Sequence, residues 1–579
     1  MASDRAETKG GGFLLNPCGG SKTISPELMS GAQRELSQAV ARFSAERVMP
    51  FSEGIEACEA GLVHSLMREA GELGFFSAEV PEEDGGMGLG AVEAAAIAEN
   101  ISHQGSFVVS FLCHCGIGMY PLLAFGKDEQ KRKYLPAMIS GESVGAFALT
   151  EAEAGSDALA VRTRAVLTPG RRHYLLTGEK LYCTNAAQAG IFTVFAKTEV
   201  GFTAFLVERA TPGLTIGAEE QKMGIHGSST ASVILSGAEV PVENILGDEG
   251  RGHRVAFATL NVGRMKLGAA CMGTARRLVA DMAVQANTRR QFGRPIGSFE
   301  LVKQKVARSA ARAFLAESLV YRLAGDFDSC PGAADELSIE AAVSKVYCSE
   351  AIASVADEAV ALFGGCGYIR GFAPERIYRD CRIDRIFEGT NEICRLFIAA
   401  TLIKRALSGR LPLMERLGEI LAGLKGGFPK ADPSLPFAST VDGIEELKRT
   451  AIYLAGVALK KFGEGIRERQ SVLAAIADIA IESYAFDSAV SRAVSLFLSG
   501  EREKAQRQGD LCAALLAERM PALVSVARQA LINVAAGEET EYAPYLKALL
   551  RIASPHAFDT DAAWARIASH VLEKEACDL

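Results

Sequence analysis

At 579 residues, with 49% apolar and 23% charged side chains, a single Trp and a mean hydropathy of +0.13, the chain is too long for one hydrophobic core and divides into roughly three or four domains. A formal net charge of -8, a pI near 5.7 and the lack of a long Lys/Arg run exclude a nucleic-acid binder, because gripping a phosphate backbone needs a basic face. Thirteen cysteines contain no Cys-x-x-Cys pair, and Cys113 and Cys115 have only His114 beside them, which excludes a disulfide framework and a metal site and points to reduced thiols.

Met1–Gly20 carries both charge signs and several glycines, with neither an apolar core of signal-peptide length nor an Arg-rich amphipathic helix. The chain is therefore expected to be cytoplasmic, with 1–24 an N-terminal extension. From 25 to 144 the pattern is helical: Pro26 occupies a permitted first-turn position, and Leu36, Val40 and Phe43 follow at helical spacing. A second helix over 62–73 stops at Gly74. In the loop Pro81–Gly90 the glycines have the wrong spacing for a dinucleotide fingerprint and follow acids rather than an apolar strand, so it reads as a tight turn before an Ala-rich helix over 91–100. Gly105–Gly126 has no charged side chain and is about as long as a membrane span. Its His114, Pro121, glycines and serines, and the Lys127-Asp128-Glu129-Gln130 that follows, predict a buried helix pair instead.

Composition changes near Gly145. Alternating or β-branched runs at 173–177, 191–198, 203–207, 214–216 and 231–240, broken by Pro-Gly, Gly and Asn turns, predict a small β-barrel or sandwich over 145–255. Helices return over 256–407, with long apolar-striped segments at 267–286, 299–327 and 337–363 that suggest a bundle. The Gly-, Pro- and Leu-rich stretch 408–440 reads as a linker with one short helical piece, and 441–579 as a further helical domain. Within it, Val472–Leu498 is apolar enough to cover a dimer surface, to lie on a membrane, or to pack in its own bundle. The fold class is therefore mainly α with a middle β domain.

Five stretches carry candidate chemistry. In Asp384-Arg385-Ile386-Phe387-Glu388-Gly389-Thr390-Asn391-Glu392, Glu388 follows an aliphatic and an aromatic residue and precedes Gly-Thr, so it projects from an apolar turn where a helix pauses. Desolvation there disfavours the charged carboxylate and suits it to accept a proton. Phe147-Ala148-Leu149-Thr150-Glu151-Ala152-Glu153-Ala154-Gly155-Ser156 offers a hydroxyl, a Gly-Ser turn and backbone N–H groups for a flat polar heterocycle or a phosphate. Gly178-Glu179-Lys180-Leu181-Tyr182-Cys183-Thr184-Asn185 places an aromatic and a hydroxyl two apart on a strand, hence on one side. Arg289-Arg290-Gln291-Phe292-Gly293-Arg294 is a cationic patch ending a helix, and Phe363-Gly364-Gly365-Cys366-Gly367-Tyr368 is a helix end closed by glycines. Taken singly, each also reads as an ordinary turn, core aromatic, solvated charge run or helix cap.

In this order and spacing, over about 25–407, the set resembles the acyl-CoA dehydrogenase family. Together with Leu260-Asn261-Val262-Gly263-Arg264 and the C-terminal extension it looks most like the very-long-chain branch. The resemblance implies a helical domain, a β domain and a four-helix bundle, with FAD between the last two and reaching a second subunit of a homo-oligomer, a dimer rather than a tetramer. It implies that Glu388 removes the α-proton of a fatty acyl-CoA while the flavin takes a hydride from the β-carbon, giving a trans-2-enoyl-CoA, with electrons passed to an electron-transferring flavoprotein. The backbone N–H of Glu388 and the ribityl 2′-hydroxyl of FAD would stabilise the enolate. By the same resemblance Phe147, Leu149, Thr150, Gly155 and Ser156 line the flavin and the thioester end of the substrate. Tyr182 and Thr184 stand beside the flavin ring, Arg289, Gln291 and Phe292 reach the FAD of the neighbouring subunit, Gly364 and Gly365 take the adenine side, and Thr390 and Glu392 complete the cofactor site. Asn261, Arg264 and Gly389 lie near the substrate and the base, with Arg264 orienting rather than carrying a proton.

The sequence departs from the family pattern at several positions. Tyr182 replaces the usual Trp, thinning the flavin's apolar wall; Ala361 replaces a cofactor-contacting Gln, which implies weaker FAD retention; Ala152 replaces a Pro. Gly263 occupies the position from which some relatives present the base, which leaves Glu388 to serve. An acyl-CoA oxidase or a dehydrogenase of branched, cyclic or aromatic acyl-CoA is an alternative within enzymes, and a scaffold protein retaining the fold is one of another class, against which the intact Glu388 argues. Peripheral contact with the inner face of a membrane through the C-terminal domain is a further expectation.

Overall fold

The computed structural model describes residues 9–19, 23–330, 332–553 and 557–579. Residues 1–8 and 20–22 of the expected N-terminal extension lie outside the described residues. The chain forms two compact units, the first comprising Met1–Met29, Thr274–Tyr378 and Thr390–Leu579 and the second Ser30–Gly273 and Arg379–Gly389.

The second unit opens with helices Gly31–Phe43, Leu62–Glu72 and Ala91–Ile101. Ser30 starts the first through a capping box with Gln33, and Gly74 ends the second region at φ +83, a left-handed conformation that glycine adopts without penalty. The expected helix pair over 105–126 is one helical run broken by a π-turn, Cys113–Gly118, between Gly105–Leu112 and Tyr120–Phe125. The reason is backbone contact: a Cβ on Gly118 would lie 2.8 Å from the carbonyl carbon of Gly145, so the turn rests directly on the first strand. The run Gly105–Phe125 is long and apolar enough to cross a membrane, but 61% of its apolar window is buried in the protein, as in a core helix.

Eight strands follow: β1 Val144–Ala148, β2 Arg164–Leu167, β3 His173–Thr184, β4 Ala189–Lys197, β5 Phe202–Glu208, β6 Leu214–Glu219, β7 Thr230–Pro241 and β8 Ile245–Leu246. They form one sheet ordered β6-β7-β3-β2-β4-β5-β8, with β1 parallel to β4. Strands β1, β2 and β8 are not legible as alternating runs: Val-Gly-Ala-Phe-Ala has little β-branching, and β8 is two residues long. The inward faces of β4, β5 and β7 supply one core, including Phe192, Val194, Phe205, Val207, Val233 and Leu235. Helix Gly252–Thr288 begins at Gly252 rather than Leu267, because tertiary packing carries it through Gly263 and Asn261 despite their weak helix preference.

In the first unit helices Glu300–Ser329, Ser338–Phe363 and Asn391–Leu407 pack with Ala438–Phe462, Gln470–Leu498 and Arg502–Val534. Of the three readings open for 472–498, the structure selects packing within its own unit: Val472, Ile476, Ile479, Tyr484, Phe486 and Val490 are buried against neighbouring helices. The stretch 408–440 contains a 14-residue helix, Leu413–Gly426. Residues 9–19 are built into this unit rather than extending from it, with Phe13 and Leu14 buried and Phe13 edge-on to Tyr484 at 4.9 Å.

Candidate functional site

Glu388 lies in a turn after the short helix Ile383–Arg385. Its φ is +58 and that of Gly389 is +87. Two successive left-handed residues reverse the chain, and a non-glycine residue there costs about 1–3 kcal/mol and persists only where surroundings fix it. They are fixed from helix Gly252–Thr288: Arg264 Nε donates to the Glu388 carbonyl at 2.9 Å, and Arg264 Nη1 donates to Asn261 Oδ1 at 2.9 Å. Arg264 is only 9% exposed, so its guanidinium is held between the turn and Asn261 rather than by solvent. At the position directly before Arg264, a Cβ on Gly263 would come within 3.1 Å of Glu388 Oε2 and 2.9 Å of Ile117 Cγ2. The missing side chain is thus the space the carboxylate occupies.

The π-turn forms another wall. Burial, then the charge of Glu388, raise the Cys113 thiol well above its ordinary pKa, and Thr184 faces the same sulfur. Cys113 is therefore a neutral thiol beside both the carboxylate and a strand hydroxyl. His114 is fully buried and its pKa is lowered to about 4 by burial. It is neutral, with Nδ1 accepting from the Gly145 N–H at 2.9 Å and Nε2 against the Met138 carbonyl at 3.0 Å. That pair of contacts fixes the tautomer and anchors the start of β1. Lys266, 2% exposed, forms an ion pair with Glu79 and also reaches the Cys115 carbonyl at 3.4 Å.

Beyond β1, Phe147 packs edge-on to Phe195 at 5.0 Å and Leu149 is buried. The Leu181 N–H donates to the Thr150 carbonyl at 2.8 Å, so the stretches 147–156 and 178–185 run side by side. A bulge between Lys180 and Cys183, with Tyr182 at φ +56, interrupts β3. The two-residue alternation expected to put Tyr182 and Thr184 on one side does not hold through a bulge; Tyr182 is 63% exposed while Thr184 is half-buried. Gly155 and Ser156 sit at the outer end of the first stretch, and a Cβ on Gly155 would meet open space.

The second unit thus brings together Glu388, Gly389, Asn261, Arg264, Phe147, Leu149, Thr150 and Thr184, with Gly155, Ser156 and Tyr182 on the same two stretches. The remaining predicted residues belong to the first unit. Arg289 follows helix Gly252–Thr288, and Arg290–Gln291 and Arg294–Pro295 form a two-stranded hairpin with Phe292 at its tip, at φ +50 and 92% exposed. Gly364, φ +62, ends helix Ser338–Phe363, and Gly365 opens the next short turn with no atom close to its Cβ position. The Thr390 hydroxyl caps helix Asn391–Leu407 by accepting from the Ile393 N–H at 3.3 Å, and Glu392 lies in its first turn. Sequence reasoning missed Asn391: it is 2% exposed, its Oδ1 accepts from the fully buried Lys345 at 2.6 Å, and its Nδ2 donates to Glu350 at 3.0 Å. An Asn opening a helix reads as a simple cap, and only tertiary contact reveals its second use. Cys113, Ile117 and the buried pair Lys180–Glu151 were missed for the same reason.

Comparison with known proteins gives a consistent result. Family models for the acyl-CoA dehydrogenase N-terminal, middle and C-terminal domains match residues 30–142, 146–238 and 250–403, and a further acyl-CoA dehydrogenase C-terminal domain matches 446–549. A probable acyl-CoA dehydrogenase of Bacillus subtilis is 39% identical over 93% of each chain. The human mitochondrial very long-chain specific acyl-CoA dehydrogenase is 38% identical over 85% of this chain and 80% of its own. A crystal structure of an acyl-CoA dehydrogenase complexed with FAD from Bacillus anthracis superposes with a TM-score of 0.95 at 37% identity, covering 99% of this chain and 100% of that one.

Proposed function

The chain belongs to the acyl-CoA dehydrogenase family, and from that premise we propose that Glu388 is the base that removes the α-proton of a long-chain fatty acyl-CoA. The enzyme is an acyl-CoA dehydrogenase that uses FAD. The residues present fit that group: the buried Leu149 and edge-packed Phe147 give an apolar floor, Thr150, Ser156 and Thr184 give hydroxyls, Gly155 leaves open space where a side chain would stand, and Tyr182 lies exposed beside them. When bound, FAD supplies the acceptor for the hydride that leaves the β-carbon.

The chain's own residues supply the proton chemistry. The observation that carries the proposal is the left-handed Glu388-Gly389 turn clamped by Arg264 through the Glu388 carbonyl at 2.9 Å. The clamp fixes the plane of the following peptide and, with it, the direction in which the carboxylate leaves the backbone. Glu388 takes the α-proton onto its carboxylate, and its own N–H is the donor proposed for the thioester oxygen as negative charge develops there. Asn261, by holding Arg264, acts as a positioning residue, and Gly263 keeps the proton-accepting oxygen uncrowded.

Finer assignments extend this reading. Phe147, Leu149, Thr150, Gly155, Ser156, Tyr182 and Thr184 would hold the flavin; Arg289, Gln291 and Phe292, on an exposed hairpin, would reach the FAD of a second subunit, and Gly364, Gly365, Thr390 and Glu392 would complete the cofactor site. The product would be the trans-2-enoyl-CoA, the electron acceptor an electron-transferring flavoprotein, and the assembly a homodimer. With most of 472–497 buried, membrane contact through the C-terminal domain would fall to side chains such as Leu498 and Leu550, each 73% exposed. The test is anaerobic mixing of the flavin-loaded enzyme with acyl-CoAs of increasing chain length, followed by reoxidation with a flavoprotein acceptor or with oxygen. Bleaching with formation of the 2-enoyl thioester, fastest for long chains and reoxidised by the flavoprotein, is the expected result. Rapid turnover on oxygen alone contradicts the dehydrogenase assignment in favour of an oxidase.

A further inference from the structure

Between the two flavin-facing stretches lies a charged group with no part in the proton chemistry. Lys180 has no exposed surface, yet its Nζ lies 2.6 Å from Glu151 Oε1 and 3.2 Å from the Leu149 carbonyl. Glu151, 8% exposed, also accepts from the backbone N–H groups of Arg162 and Thr163 and from the Thr163 hydroxyl at 2.5 Å. The ring closes across the sheet: a Cβ on Gly178 would come within 2.3 Å of the Thr163 hydroxyl oxygen, so glycine at 178 lets β3 press against the residue that holds Glu151. One pair therefore touches the stretch 147–156 at Leu149 and Glu151, the segment 162–163 and, through Gly178 and Lys180, the strand that carries Tyr182 and Thr184.

Burying an ammonium and a carboxylate costs several kcal/mol per ion before their attraction and hydrogen bonds offset it, and an apolar pair of equal volume is often as stable. Stability alone thus gives a weak account of this pair. Burial by itself would raise the Glu151 carboxyl, but Lys180 and the Thr163 and Arg162 donors outweigh it and hold it below its ordinary pKa, so the carboxylate is charged throughout the neutral range. A charged acceptor with four donors converging on it specifies one backbone arrangement, where an apolar contact would tolerate several.

We propose that the Lys180–Glu151 pair is a positioning clamp for the cofactor edge, fixing the Leu149–Ser156 segment against the Lys180–Thr184 segment before flavin binds and thereby setting how tightly the flavin is held. It rests on the assignment of these two stretches to FAD. The Leu149 carbonyl is aimed inward at Lys180, the Ala154 N–H donates to the Glu151 carbonyl at 3.1 Å, and Gly155 and Ser156 beyond it are exposed. The bulge that turns Tyr182 out of the strand begins directly after the clamped residue. Lys180 and Glu151 act through these neighbours and touch neither the base nor the acyl chain.

The test is FAD affinity of the full-length protein, measured by fluorescence titration of deflavinated enzyme, for wild type, Lys180→Met, and the volume-matched double variant Lys180→Met/Glu151→Leu. Both variants should bind FAD about 10–100-fold more weakly, the loss that follows removal of a residue supporting a metal ligand being taken as the scale, with a shifted flavin absorption band and native far-ultraviolet circular dichroism. A folded double variant that binds FAD as tightly as wild type, with an unchanged spectrum, overturns the clamp. Amide exchange on flavin-free wild type gives a second reading that needs no variant: the Arg162, Thr163 and Leu181 amides should be protected, and exchange at the rate of exposed loops overturns pre-formation. Wild type that binds no FAD would refute the cofactor assignment itself.

Discussion

The two units bury their charges to different ends. In the second unit, Arg264 holds the Glu388 carbonyl, Lys180 holds the Leu149 carbonyl and the Glu151 carboxylate, and Lys266 meets Glu79 two residues along from Arg264; each lies within a few residues of a stretch assigned to chemistry. In the first unit comparable charges join distant parts of the chain. Arg492 binds Glu27 at 2.8 Å and Glu317 at 2.6 Å, Lys448 binds the Asn16 carbonyl at 2.8 Å and lies 3.3 Å from Asp487, and Arg405 donates to the Gly10 carbonyl at 2.5 Å. The same expensive interaction thus points groups in one unit and fastens the N-terminal segment to the C-terminal helices in the other. The difference is testable, because a pointing charge should alter rate or cofactor affinity and a fastening charge should alter stability.

The largest stability effect is expected at the fastening end. Arg492→Leu removes the cation shared by Glu27 and Glu317, which keep only Lys504 at 3.3 Å and Arg276 at 2.7 Å respectively, and breaking a buried pair from one side costs up to about 3–5 kcal/mol. Chemical denaturation should show that loss while the flavin-loaded folded fraction keeps its specific activity; a kinetic defect with unchanged stability would erase the contrast between the units.

A smaller effect comes from Glu340, which accepts from the Gly11 N–H at 2.6 Å and whose pKa burial raises from 4.5 to about 7. Because the folded value is raised, the stability tied to this group is fully present below pH 4.5 and is lost as the pH rises through about 7. At about 1.4 kcal/mol per unit this amounts to about 3 kcal/mol. Glu340→Gln should therefore flatten the pH dependence, with its melting temperature highest relative to wild type at pH 8 and the gap closing toward pH 5; a constant gap would place the effect elsewhere.

The smallest change in stability, with a visible change in rate, belongs to Gly263→Ala. Alanine favours a helix by about 1 kcal/mol over glycine, but its Cβ would stand 3.1 Å from Glu388 Oε2, and misplacing a reacting group by about 1 Å can cost as much as 10²-fold. An enzyme as stable as wild type but about 10-fold or more slower in flavin reduction is expected. Equal rates would mean that the carboxylate does not need this space.

How much of this was legible in the sequence depends on the range of the interaction. The turn at 386–390 is encoded locally, by Gly389 and the capping Thr390, and the long helices by apolar periodicity. The start of helix Gly252–Thr288, the π-turn and the strand Val144–Ala148 were hidden because packing overrides weak local preference there: Gly118 lies on Gly145, and His114 takes the Gly145 N–H. Within the site, Glu388, Thr150 and Thr184 stand out by residue type and order. Lys180, Glu151, Asn391 and Cys113 do not, since a lysine in a strand or an asparagine at a helix start is usually solvated, and only the fold shows the first three to be buried and engaged and Cys113 to be half-buried beside Glu388.

The central claim, that the clamped turn presents Glu388 as the proton acceptor, meets its most direct test in a single-turnover measurement. Flavin-loaded Glu388→Gln, mixed anaerobically with a long-chain acyl-CoA, should bind the thioester, keep its yellow cofactor and reduce it slower by on the order of 10³-fold or more, the share usual for a positioned base. Flavin bleaching at the wild-type rate in that variant would contradict the account.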